Sequence, residues 1–122
     1  MAEIKEITID INGNEYKIKR AKTINAVHTG NMNANGWLYP DTKTIFIKED
    51  LSIDQLQETL YYYISLATIY EIYQDEDLAD VFESEFGVAK FIASNALKIT
   101  QNVTELTFTF IAAKSMATPP IN

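Results

Sequence analysis

The chain has 122 residues, 47% of them apolar, and carries 10 Lys and Arg against 17 Asp and Glu, a net charge of −7. One core of ordinary size fills that length, so a single domain over 1–122 is expected, with 113–122 as a tail. The absence of cysteine excludes disulfides, thiol nucleophiles and Cys-ligated metals, and the acidic balance argues against direct nucleic-acid binding, which needs clustered Lys and Arg.

The first residues, Met-Ala-Glu-Ile-Lys-Glu, lack the basic and apolar regions of a signal peptide. The apolar-rich stretch Leu60 to Tyr73 carries Ser65, Thr68 and Glu71 and is too short to span a bilayer. A soluble protein of a reducing bacterial cytoplasm, with no membrane partner, is the expectation. Charge is unevenly spread: Glu49 to Ala89 holds eleven acidic residues and no Lys or Arg, while the remainder is about +4 (ten basic, six acidic).

In chain order, Ile7, Ile9 and Ile11 alternate with Thr8 and Asp10, and Tyr16 and Ile18 alternate with Glu15, Lys17 and Lys19. Asn12-Gly13 between the two runs predicts a β-hairpin. Residues 21–36 read as a long loop. Trp37 to Tyr39 and Thr44 to Lys48 flank Pro40-Asp41-Thr42 and predict a second hairpin, with Ile45 and Ile47 pointing into the core. Ser52 and Gln55 form a capping box, and Leu56, Leu60, Tyr63, Ile64, Ala67 and Ile72 keep helical spacing over 53–73. Asp75-Glu76-Asp77 favours a second helix start, carried by Leu78, Phe82, Val88, Phe91, Ile92 and Ala96 to about residue 98. Val103 to Ala112 alternates, with Leu106, Phe108 and Phe110 on one face, and predicts a C-terminal strand. The fold class is therefore α+β: antiparallel hairpins packed on two long helices, closed by a last strand.

The stretch Gly36-Trp-Leu-Tyr-Pro-Asp-Thr-Lys-Thr-Ile-Phe-Ile-Lys-Glu-Asp-Leu-Ser52, followed by Gln57-Glu-Thr-Leu60, resembles the ImmA/IrrE-like minimal zinc peptidases, common in phages and mobile elements. The resemblance covers roughly residues 4–98 and implies a zincin-like fold. That family carries Thr-Leu-Leu-His-Glu-x-x-His, two His one turn apart for zinc and a Glu to activate water. The positions that match are Tyr62 and Leu66 for the ligands and Tyr63 for the base. Leucine cannot ligate, tyrosine is a poor base near neutral pH, and the chain holds one histidine, His28. The family's chemistry does not carry over, so neither metal nor cofactor is expected. Tyr62, Tyr63 and Leu66 are expected to fill the vacated space as core.

His28, in the loop Ala26 to Gly30, reads as a loop imidazole. No Gly-x-Ser-x-Gly elbow and no phosphate-cradling glycine loop is present. What remains is a binding role: a catalytically inactive, phage- or mobile-element-borne protein that inhibits a host protein. An acidic face would compete for the basic surface of a nucleic-acid-binding defence effector, in the manner of an anti-CRISPR protein. The candidate contact residues are Asp75, Glu76, Asp77, Asp80, Glu83 and Glu85, with Tyr70 and Tyr73, tyrosine being enriched at interfaces. The alternative is a structural or assembly accessory that self-associates, as a homodimer, through the C-terminal strand. An enzyme with a metal-free site is the third class.

Overall fold

A computed structural model describes residues 6–24, 34–73 and 85–117. Strands β1 (Glu6–Ile11) and β2 (Asn14–Ala21) pair antiparallel with Ile9 opposite Tyr16 and Ile7 opposite Ile18. Asn12 and Gly13 have φ of 51° and 84°, the left-handed pair that lets a two-residue turn follow the twist of its strands. Strands β3 (Gly36–Tyr39) and β4 (Thr44–Lys48) form the second hairpin, closed by Lys43 N–H donating to the Pro40 carbonyl at 3.3 Å.

The sheet order is β1-β2-β4-β3, and β2 pairs with β4 in parallel, Ile18 beside Ile45 and Arg20 beside Ile47. This corrects the expected all-antiparallel arrangement. Each hairpin forms locally, but how the two hairpins meet is set by burial. The parallel register brings Tyr16, Ile18, Ile45 and Ile47, all fully buried, onto one face. The chain between β2 and β3 is long enough to return the second hairpin in that sense.

Helix α1 (Ile53–Tyr73) starts where the sequence predicts. Gln55 N–H donates to Ser52 Oγ at 3.2 Å and Ser52 N–H to Gln55 Oε1 at 3.0 Å, a reciprocal cap. Its buried stripe is Leu56, Leu60, Ile64 and Ala67, which meets the sheet isoleucines in the main core.

Helix α2 (Glu85–Ala117) overturns the predicted C-terminal strand. Residues 103–112 are helical, and the helix neither ends near 98 nor stops at 113. The physical reason lies in a stripe that alternation conceals: Ile99, Val103, Leu106 and Phe110 recur at helical spacing and are all buried. Between Gly87 and Pro119 no Gly or Pro interrupts the run. Extending an existing helix fixes one residue per added hydrogen bond, whereas a new strand must start afresh. The Thr109 hydroxyl donates to the Glu105 carbonyl at 2.8 Å, accommodating one of the β-branched residues that suggested a strand. The described residues are thus α+β, a four-stranded mixed sheet with two helices. No described helix is long and apolar enough to cross a membrane.

Candidate functional site: an apolar groove beside an edge strand

Gly36 lies at the start of β3, an edge of the described sheet, and its missing side chain makes room for Tyr63. A Cβ there would lie 2.6 Å from Tyr63 Cε2. The Tyr63 hydroxyl donates to the Gly36 carbonyl at 2.7 Å, fastening α1 to β3. Burial, with a smaller effect from neighbouring Tyr62, raises the Tyr63 phenol above its ordinary pKa.

Around this fastening opens a groove of about 440 Å³ walled by Trp37, Leu38 and Pro40 on one side and Tyr62, Tyr63, Leu66, Ile69 and Tyr70 on the other. That is the size of a pocket for a small ligand or a few side chains. No charged residue is among the described residues that line it. Tyr62 stands edge-on to Tyr63, ring centroids 4.8 Å apart at 77°.

Tyr62, Tyr63 and Leu66 therefore share one surface, but not as expected. Tyr62 is 61% exposed and Leu66 38% exposed, so neither is core; Tyr63 alone of the three is half-buried. The inner stripe of α1 is centred on Leu60, Ile64 and Ala67. At about 100° per residue, positions 62 and 66 fall some 200–240° round from Leu60, away from the buried face of the sheet and level only with its β3 edge. They form the groove's open wall. Tyr70 is half-buried in the same wall.

Tyr73 and Glu85 are the last residue of α1 and the first of α2. Asp75, Glu76, Asp77, Asp80 and Glu83, like His28, lie outside the described residues. Among the described residues no three His, Cys, Asp or Glu side chains come together as a metal site needs.

Sequence reasoning missed a second polar centre. Glu71, buried at 6% exposure, accepts from the Tyr16 hydroxyl and from Asn14 Nδ2 at 2.8 Å, and pairs with Lys43 Nζ at 3.3 Å. Lys43 also donates to Asn14 Oδ1 at 2.8 Å, closing the ring of contacts. Burial, then the bond to Glu71, pushes the Tyr16 phenol well above its ordinary value. The cluster joins α1 to the beginnings of β2 and β4. Its signal was legible: Glu71 lies 4, 7 and 11 residues beyond Ala67, Ile64 and Leu60, on the buried stripe. Every oxygen of this carboxylate is engaged, so the cluster holds the fold rather than a ligand.

Comparison with family models, curated proteins and solved structures finds no match for this chain.

Proposed function

We propose that this chain is a non-catalytic binding protein that receives an apolar segment of another protein in the groove between β3 and α1. The carrying observation is the groove itself: an open, uncharged wall of Tyr62, Leu66, Ile69 and Tyr70 facing Trp37 and Pro40. Large side chains exposed in a concave apolar surface are the usual anchors of protein recognition. The sequence resemblance to minimal zinc peptidases supports the same location, because in it Tyr62, Tyr63 and Leu66 match the positions of that family's metal ligands and base. A peptidase-like scaffold stripped of its chemistry keeps a cleft shaped for polypeptide.

The groove wall on α1 belongs to the stretch from Glu49 to Ala89 that has no Lys or Arg. The segment it receives is accordingly apolar at its centre and flanked by basic residues, as on a nucleic-acid-binding host protein whose inhibition the phage reading calls for. Complementary charge speeds such an encounter and orients it.

An array of short peptides with apolar centres flanked by Lys or Arg, against the same centres flanked by Asp or Glu, tests this. Trp37 is the only tryptophan and lies in the groove, so its emission reports occupancy. Basic-flanked peptides should shift it and lose affinity with salt, and Tyr62→Lys should abolish the shift without altering the fold. Equal binding by the Tyr62→Lys variant, or no peptide that shifts Trp37, refutes the proposal.

A further inference from the structure

We infer that the outer face of α2 is the contact surface of a symmetric homodimer, in which α2 pairs antiparallel with α2 of a second copy. Phe108 is 74% exposed, Leu97 71% and Ile111 38%. These three residues, with exposed Gln101 and Thr104, follow one another at intervals of four, three, four and three residues. That is the spacing of a two-helix seam. The buried stripe Ile99, Val103, Leu106 and Phe110 has the same rhythm on the opposite side of the helix. α2 thus carries two seams, one filled by α1 and the core and one open. The open seam bears no charge over four turns, in a chain whose net charge is −7. A helix face meant for water ordinarily carries charged residues there.

A second copy is the occupant that the spacing and the charges favour. With a two-fold axis between Asn102 and Val103, Leu97 of each copy lies opposite Phe108 of the other, and Gln101 opposite Thr104. Lys98 and Glu105 sit on one flank of the seam, seven residues and so nearly two turns apart. An antiparallel two-fold pair brings like flanks together, which places Lys98 of one copy within about 3 Å, along the axis, of Glu105 of the other. Both side chains are exposed; the Lys98 ammonium pairs with Asp10 of its own chain at 3.1 Å and in the dimer shares itself between that carboxylate and Glu105 of the second copy. The opposite flank, with Ala96 and Thr107, has no charge, so a parallel pair would gain nothing from Lys98 and Glu105. The contact, about 21 Å long, is short for a permanent interface, so the dimer is weak and concentration-dependent. No groove residue belongs to α2, and the two proposals fail separately.

Sedimentation of the full chain should show a mass rising from 13.8 kDa toward double as concentration increases. Leu97→Glu/Phe108→Glu should stay monomeric at every concentration with unchanged helicity and melting, since both residues face solvent. Lys98→Glu and Glu105→Lys should each weaken association, and the double exchange should restore it. Because the chain has no cysteine, single spin labels can report the geometry: close together for Thr104→Cys, and roughly 37 Å apart along the axis for Lys90→Cys. A monomer up to millimolar concentration overturns the inference. So does a dimer that survives the double Glu change, a charge exchange that fails to restore association, or Lys90 labels that lie close together.

Discussion

Replacing Gly36 with alanine perturbs the point where α1 is fastened to the sheet. The added methyl would meet Tyr63 Cε2 at 2.6 Å, Tyr63 Cδ2 at 2.8 Å and the Phe46 carbonyl oxygen at 3.0 Å. That carbonyl belongs to β4 and cannot retreat without disturbing strand pairing, so Tyr63 must move. Turning the ring away breaks its hydrogen bond to the Gly36 carbonyl, a net loss of about 1 kcal/mol. Overpacking and the displaced ring add about 1–3 kcal/mol. The expected destabilisation is about 2–4 kcal/mol, or roughly 8–16 °C in Tm for a domain of this size. Urea and thermal unfolding followed by Trp37 fluorescence and circular dichroism would measure it. A shorter side chain at 63 removes the clash, so Gly36→Ala/Tyr63→Leu should be less destabilised than the sum of its singles by at least about 1 kcal/mol. If Gly36→Ala unfolds within about 0.5 kcal/mol of the parent, or the two changes are additive, Tyr63 does not rest on Gly36 as described.

Leu66→Asp, on a residue 38% exposed, should cost only about 1 kcal/mol, against about 2–5 kcal/mol for Leu60→Ala in the fully buried stripe. An unfolded Leu66→Asp variant would return Leu66 to the core and close the groove. Glu71→Leu leaves the buried Tyr16 hydroxyl without its acceptor, while Lys43 keeps Asn14 Oδ1 and solvent, and should lose about 1–3 kcal/mol in chemical denaturation; Glu71→Gln, which retains an acceptor, should lose less. The raised Tyr16 phenol gives a pH signature: the folded state holds its proton after the unfolded chain has released it. That stability is fully present below pH ~10 and falls by about 1.4 kcal/mol per unit above it. Tyr63, raised in the same direction, adds to the fall. Tyr16→Phe should flatten the alkaline slope measured by urea unfolding, and an unchanged slope would deny Tyr16 that part.

Local chemistry was legible. Asn12-Gly13 fixes the first turn because few other pairs accept two positive φ angles, and Ser52 with Gln55 fixes the start of α1 because each satisfies the other's backbone N–H. The single histidine and missing cysteine exclude the two-His zinc site of the family resembled, whatever the fold. The groove's membership was half legible: the motif alignment picked out Tyr62, Tyr63 and Leu66 but assigned them to the interior. Helical period alone gives relative angles round α1, whereas the angle that faces the sheet depends on which stripe the strands cover.

What only the tertiary structure decided are the long-range choices. Leu106, Phe108 and Phe110 satisfy a strand pattern, and Leu106 and Phe110 also satisfy a helical one. Val103 and Ile99, buried beside α1, settle the matter and leave Phe108 in solvent. The parallel pairing of β2 with β4 was likewise open, since each hairpin is complete in itself and only their shared buried face selects how they join. Glu71 shows the same division from the opposite side. Its place on the apolar stripe could be counted in the sequence, but a buried carboxylate is tolerable only where Tyr16, Asn14 and Lys43 converge on it. Those partners lie 28 to 57 residues away along the chain, so their convergence is a property of the folded sheet and not of any local segment.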